Sequence, residues 1–180
     1  MDKWISAWKE LRSRYWLALG FDCAVIVLVM WGLHAWQTRA LPINDPAFQT
    51  VLPILASGEI SEAVQKGEAG IIYFFAPWCG YCRNSIDNLD QLVQDGEVRW
   101  ASAIALSYSN PDEVRGFVSD TEIDLPVFLG TAQTSSDWGI QAFPTYFVID
   151  ATGAIHSRSV GYSTWLGIRL RNWMAQVREN

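Results

Sequence analysis

The sequence has few cysteines and few histidines, and each shortage excludes a class of protein. Its 180 residues include three cysteines and two histidines. A small domain held together by disulfides would need more cysteine pairs than this. A structural zinc site needs four ligands, and no second close pair of cysteines is present to complete one. The cysteines therefore indicate a reactive role or the binding of a metal such as Cu(I), and not a set of structural disulfides.

Charged residues are also scarce, at 18% of the chain, whereas hydrophobic residues make up 50%. Such a chain is too apolar to be disordered, and it can form one packed domain plus an appendage. Residues 1–40 carry five basic and three acidic side chains, and the other 140 residues carry eight basic and 16 acidic ones. An acidic domain without a basic stripe predicts no nucleic-acid partner.

The most apolar stretch spans residues 17–36, interrupted only by Asp22 and His34. As a helix it would be roughly 30 Å long, the thickness of a bilayer's hydrocarbon core. Basic residues concentrate before it, which predicts a cytoplasmic amino terminus and an exported remainder from about residue 41. A cleaved signal peptide and a buried helix of a soluble protein are the alternatives. The predicted divisions are a cytoplasmic segment 1–16, a transmembrane anchor 17–36, a linker and domain start 37–58, and a domain 59–180.

Short apolar runs alternate with helical patterns in the exported part. The clearest run, residues 70–76, is continuously apolar and typical of a strand buried on both faces. This alternation predicts an α/β fold, a mixed sheet covered by helices. We expect helices near 59–66, 83–94, 111–119, 135–139 and 164–177, and strands at 70–76, 98–106, 125–129, 145–150 and 154–160.

Cys79 and Cys82 lie where the first of these strands gives way to a helix. The first sulfur would lie at the helix amino terminus, where unpaired N–H groups and the helix dipole stabilise a thiolate. The second sulfur follows one turn later, close enough to form a disulfide. The spacing therefore predicts that Cys79 attacks or is attacked, and that Cys82 resolves the mixed disulfide.

The sequence also allows other roles for the Cys79–Cys82 pair. A structural disulfide at this spacing would close too short a loop to stabilise much. Cu(I) binding needs only two thiolates and remains an alternative of a different class. The neighbouring aromatic residues Trp78 and Tyr81 favour an apolar groove for an extended peptide.

Residues 75–82, FAPWCGYC, followed much later by residues 142–145, AFPT, resemble the thioredoxin superfamily. The resemblance covers about residues 59–178. The extra block near 110–130 is similar to the insertion of the TlpA/ResA/ScsD-like branch. Members of that branch are membrane-anchored or secreted bacterial proteins, mostly reductants of extracytoplasmic disulfides.

This resemblance implies a thioredoxin-like sheet and a reaction that needs no cofactor besides the redox-active pair. It also implies that Pro144 follows a cis peptide bond beside the disulfide, and that the Phe143 backbone binds an extended substrate. The implied substrate groove consists of Trp78, Gly80, Tyr81, Phe143, Pro144 and Thr145.

The same resemblance implies partners and a location. The partners would be exported proteins with cysteines or disulfides, together with a membrane thiol protein that supplies electrons. The chain would be a single-pass protein of the bacterial inner membrane, with its catalytic domain in the periplasm. A disulfide isomerase or oxidase of the same fold is the nearest alternative.

Two positions depart from the family pattern. Tyr73 stands where thioredoxin has a buried aspartate, and Ser85 stands where many relatives of this branch have a glutamate. Both expected general bases are therefore missing. We interpret Tyr73 as a core-packing residue, and its hydroxyl, a water or an acid from another segment remain the alternatives for the base.

Overall fold

The computed structural model describes residues 19–33, 35–36, 38, 41 and 46–177. The chain divides into two units, Met1–Arg39 and Ala40–Asn180. In the first unit, residues 19–33 are helical with exposed side chains. Within the described residues, no helix is both long enough and apolar enough to cross a membrane. The predicted anchor 17–36 extends beyond the described residues, and the predicted segment 1–16 lies outside them.

The second unit is built on a five-stranded mixed sheet with the strand order β5-β4-β3-β6-β7. The central strand β3 runs parallel to β4 and antiparallel to β6. A separate hairpin pairs β1 with β2. This arrangement confirms the predicted α/β class. The elements are β1 (Val51–Pro53), β2 (Ile60–Glu62), β3 (Gly70–Phe75), α1 (Gly80–Gln94), β4 (Ala101–Ala105), α2 (Pro111–Thr121), β5 (Val127–Leu129), α3 (Ala132–Asp137), β6 (Thr145–Ile149), β7 (Ile155–Val160) and α4 (Trp165–Val177).

Side chains of the central strands alternate between two buried faces, as the period of a strand requires. On the face that we call the cysteine face, Tyr73 of β3 and Tyr146 of β6 pack against residues of α1, α2 and α4. The β4 residues on this face are all alanines, Ala101, Ala103 and Ala105. Small side chains there let the helices approach the sheet closely, which brings the cysteine-bearing helix onto the central strand.

The opposite face, which we call the aromatic face, contains a group of packed rings among aliphatic side chains. Trp138 lies 5.2 Å from Phe74 and 4.9 Å from Phe147, centroid to centroid. Its indole N–H donates to the Thr50 hydroxyl at 2.9 Å. These contacts attach the segments before β1 and after α3 to the sheet.

The prediction of a helix near 59–66 is wrong. Residues 60–62 form β2, which pairs with β1, and Ala63 N–H continues the contact by donating to the Thr50 carbonyl at 2.8 Å. Gly58, at φ +73°, forms the turn between the strands. A partner strand outside the 59–66 window supplies the hydrogen bonds, so local periodicity does not reveal the hairpin.

β1 was not predicted, and the remaining elements agree with prediction except at their ends. α1 begins at Gly80, three residues before the predicted start, and β4 is limited to Ala101–Ala105. The helical turn predicted at 135–139 is the last part of α3 and the residues after it.

Candidate active site

Cys79 caps the amino terminus of α1. It has extended backbone angles, φ −82° and ψ 107°, and its sulfur accepts the Cys82 backbone N–H at 3.2 Å. Its carbonyl accepts the N–H groups of Cys82 and Arg83 at 3.1 and 3.3 Å. The first turn of the helix contains no acidic residue. The Cys79 sulfur therefore occupies the position at which helix N–H groups favour negative charge.

The two cysteines are joined by a disulfide, with their Cα atoms 5.3 Å apart. Cys79 is 5% exposed and Cys82 is 0% exposed. The pair is asymmetric, because a partner reaching the site meets the first sulfur and not the second.

The Phe143–Pro144 peptide bond is cis, as the resemblance predicted. The Pro144 carbonyl accepts the Gly161 N–H at 2.8 Å, and Gly161 has φ +92°, a backbone conformation that suits glycine. Thr145 is buried, and its hydroxyl donates to the Ala142 carbonyl at 2.8 Å. These bonds determine the shape of the loop that precedes β6.

Trp78 connects this loop to the cysteine loop. Its ring meets the Phe143 ring edge to face at 5.9 Å, and its indole N–H donates to the Ser107 carbonyl at 2.9 Å. The predicted groove residues differ in exposure, and Phe143 is half-buried. Trp78, at 68%, and Tyr81, at 70%, are exposed together with Gly80, whereas Pro144 and Thr145 are buried.

Tyr73 and Ser85 are both fully buried and meet each other behind the disulfide. The Tyr73 hydroxyl lies 2.5 Å from Ser85 Oγ and 3.4 Å from the Cys82 carbonyl oxygen. Burial raises the pKa of the Tyr73 phenol above its ordinary value, so the hydroxyl keeps its proton at neutral pH. The burial of the ring confirms Tyr73 as a core residue, but its pairing with Ser85 was not predicted.

The inserted block contributes residues that sequence reasoning missed. Arg83, which follows Cys82, forms an ion pair with Asp120 of α2, and its guanidinium lies 5.4 Å from the centre of the Phe117 ring. Phe117 also stacks on Phe75, at the end of β3, with centroids 4.5 Å apart. Ser107 has φ +54°, which is uncommon for a residue other than glycine. No local sequence signal identifies these contacts, because each joins segments distant along the chain.

In the part of the chain that the structure describes, no three or more His, Cys, Asp or Glu residues are grouped so that they could hold a metal ion.

A disulfide of the form Cys-x-x-Cys at a helix amino terminus, together with a cis-proline that precedes a strand of the same mixed sheet, defines a thiol–disulfide oxidoreductase of the thioredoxin type. The AhpC/TSA family model matches residues 43–158, and the chain belongs to that family. The protein catalyses thiol–disulfide exchange.

Several similar proteins are described as thiol:disulfide interchange proteins. The thiol:disulfide interchange protein HelX of Rhodobacter capsulatus is 30% identical over 156 residues, which covers 75% of this chain and 84% of HelX. The thiol:disulfide interchange protein DsbE of Allochromatium vinosum is 25% identical over 165 residues, covering 83% of this chain and 84% of the relative. A crystal structure of a thiol:disulfide interchange protein from Chlorobium tepidum TLS superposes with a TM-score of 0.59 at 26% identity, covering 74% of this chain and 96% of that one.

Proposed function

We propose that the protein reduces disulfides of exported proteins, with Cys79 as the attacking residue and Cys82 as the resolving residue. The observation that carries this proposal is the asymmetry of the pair. The Cys79 sulfur caps α1 and accepts a backbone N–H, whereas the Cys82 sulfur is fully buried. A first sulfur that keeps slight exposure and would be stabilised as a thiolate once reduced, with a fully buried second sulfur nearby, suits a two-step exchange.

In the first step the Cys79 thiolate attacks one sulfur of the substrate disulfide, and the other substrate sulfur leaves as a thiolate. In the second step Cys82 loses its proton to solvent and attacks the Cys79 sulfur. The mixed disulfide breaks, and the second substrate thiolate leaves. The substrate gains two electrons, and the protein ends with the Cys79–Cys82 disulfide.

An extended substrate segment would bind across the surface formed by Trp78, Gly80, Tyr81 and Phe143, next to Pro144 and Thr145. The exposed rings of Trp78 and Tyr81 offer apolar contact beside the disulfide. Backbone bonding at Phe143 would tolerate varied side chains in the substrate. Such a groove suits a protein that acts on several partners.

The reducing direction is supported by the charges near Cys79. Tyr81, between the cysteines, carries no positive charge, and Arg83 is paired with Asp120. A thiolate without an unpaired cation beside it is stabilised only moderately, which argues against a strongly oxidising pair. A reductase in an oxidising compartment needs electrons, so a membrane thiol protein would be its partner.

We also propose that residues 17–36 anchor the chain in the bacterial inner membrane, with residues 1–16 in the cytoplasm. Residues 37–58 would link the anchor to the periplasmic domain 59–180. The described helical residues 19–33 support this, since their apolar side chains are exposed. The division of the chain after Arg39 is consistent with a tethered domain.

The reduction potential of the Cys79–Cys82 pair, measured by equilibration with glutathione or dithiothreitol, tests the direction. We expect a value near or below that of thioredoxin, about −270 mV. A potential above about −180 mV would contradict the reductase and favour an isomerase or oxidase. Cys79→Ser serves as the control, because it has no pair to titrate.

Fractionation of a bacterial host tests the location separately. The full chain should sediment with membranes and resist a high-salt wash, whereas a chain beginning at residue 41 should be released with the soluble proteins. Recovery of the full chain in the soluble fraction would contradict the anchor and leave the exchange reaction unaffected.

A further inference from the structure

Two neutral hydroxyls lie beside the backbone of the second cysteine. Tyr73, on the central strand, meets Ser85, on the second turn of α1, and also approaches the carbonyl of Cys82. All three residues are 0% exposed. Three polar atoms therefore connect β3 to the part of α1 that carries the second sulfur.

Each of these buried hydroxyls needs a hydrogen-bond partner, since it has no access to water. A buried phenol needs a hydrogen bond, and a serine inside a helix commonly turns its hydroxyl toward a carbonyl three or four residues earlier. The Ser85 hydroxyl has the Tyr73 hydroxyl as its partner, and the Tyr73 hydroxyl also reaches the Cys82 carbonyl at 3.4 Å. Burial keeps the Tyr73 phenol protonated, because it raises the pKa of that group. The contact stays neutral over the range in which thiols ionise.

We propose that Tyr73 and Ser85 are positioning residues for Cys82, holding the first turns of α1 so that its sulfur faces the Cys79 sulfur during resolution. The proposal rests on the proposed exchange by these two cysteines. Once Cys79 is bonded to a substrate sulfur, the Cys79–Cys82 bond no longer holds the two cysteines together. Alignment then depends on the backbone and on contacts behind it, and the rate of an intramolecular attack depends steeply on alignment.

The two steps separate in a stopped-flow reaction of the reduced full chain with excess chromogenic nitroaryl disulfide. The Cys79 thiolate attacks the reagent and releases one coloured aryl thiolate, leaving a mixed disulfide. Cys82 then loses a proton to solvent, attacks the Cys79 sulfur and releases the second aryl thiolate as the internal disulfide forms. The protein loses two electrons and the reagent gains them. A Cys23→Ser background removes the free cysteine outside the pair.

Tyr73→Phe removes one oxygen and keeps the ring. We expect it to slow the second release by about three- to tenfold, the worth of one hydrogen bond, and to leave the first release unchanged. The double variant Tyr73→Phe with Ser85→Ala should slow the second release at least as much. A purely structural effect would change both releases together.

Tyr146→Phe is the matched control. Tyr146 lies opposite Tyr73 in the register of β3 and β6 and is equally buried, but its hydroxyl accepts from Arg171 at 2.6 Å. It should leave both releases unchanged. Equal slowing of both releases by Tyr73→Phe, or equal slowing of the second release by Tyr146→Phe, would overturn the positioning role. If the unmodified pair releases no aryl thiolate, or Cys79→Ser releases it as fast, the exchange function itself fails and the positioning role with it.

Discussion

The two faces of the central sheet are both buried, yet they are built differently. On the aromatic face, Phe74 and Phe147 pack around Trp138, and contact is mainly ring against ring. On the cysteine face, the corresponding strand residues are Tyr73 and Tyr146, whose hydroxyls bond with Ser85 of α1 and Arg171 of α4. On each strand the tyrosine of the cysteine face directly precedes the phenylalanine of the aromatic face.

This difference separates two tasks. Ring packing contributes area removed from water, which stabilises the fold. A buried hydroxyl needs its partner at a defined distance, so it holds two elements in register. On the face that carries the disulfide, the two central tyrosines add aligning hydroxyls to the packed core, whereas the corresponding phenylalanines on the opposite face contribute burial alone. The first three predictions below test this contrast.

The largest effect is expected at Cys79. Cys79→Ser replaces a thiolate with a hydroxyl that stays protonated, so exchange with a protein disulfide should fall by at least about a thousandfold. Turnover of a fluorescent disulfide substrate measures this. Cys23→Ser is the control and should retain full activity. Residual exchange within tenfold of the unmodified chain would remove Cys79 from its proposed role.

Phe74→Ala tests the stabilising face. Phe74 is fully buried against Trp138 and Phe147, so its truncation should lower the free energy of unfolding by about 3–5 kcal/mol. Denaturant unfolding measures the loss. Exchange per folded molecule should not change, because Phe74 faces away from the cysteines. A loss below about 1 kcal/mol, or a slower reaction of the folded fraction, would break the contrast between the faces.

Trp78→Phe tests the exposed edge of the cysteine face. It removes the N–H bonded to the Ser107 carbonyl, and we expect exchange with a protein substrate to slow by about three- to tenfold. Stability should change by less than about 1 kcal/mol, since the side chain is 68% exposed. The matched control is Trp173→Phe on α4, at a tryptophan that is 56% exposed. Equal slowing by both variants would argue against a specific role for Trp78.

The smallest effect concerns Asp90 of α1. Burial raises the pKa of this carboxyl, although it accepts hydrogen bonds from Asp124 N–H at 3.2 Å and Gln94 at 2.7 Å. The folded chain therefore holds this proton more tightly than the unfolded chain, and stability decreases as pH rises through the raised pKa. The Asp90→Asn variant has no carboxyl to titrate at this position, so it lacks this decrease in stability.

Its free energy of unfolding, relative to the unmodified chain, should therefore increase with pH by less than about 1 kcal/mol, measured by urea unfolding at several pH values. A relative stability that decreases with rising pH would contradict the direction of the shift. Asp112→Asn, at an exposed site in the first turn of α2, controls for the loss of a surface charge.

Local sequence was sufficient wherever a feature depends on consecutive residues. The short, continuous apolar run predicts β3, because a strand buried on both faces has such a sequence. The cysteine spacing predicts a sulfur at the start of α1, since a helix amino terminus is a local arrangement of N–H groups. The α/β class follows from the order of such segments, and the cis bond before Pro144 was available from family resemblance alone.

Features that join distant segments were decided by tertiary structure. The segment that forms β2 was predicted as part of a helix near 59–66, because its hydrogen bonds come from a strand outside the local window. Tyr73 and Ser85 are 12 positions apart, and Trp78 and Ser107 are 29 apart. Their identities are ordinary for a strand, a helix or a loop, so no local pattern marks them. The positions of the two cysteines on their helix are determined by neighbours along the chain. The positions of the hydroxyls and rings around them are determined by packing, because packing acts between residues that only the fold brings together.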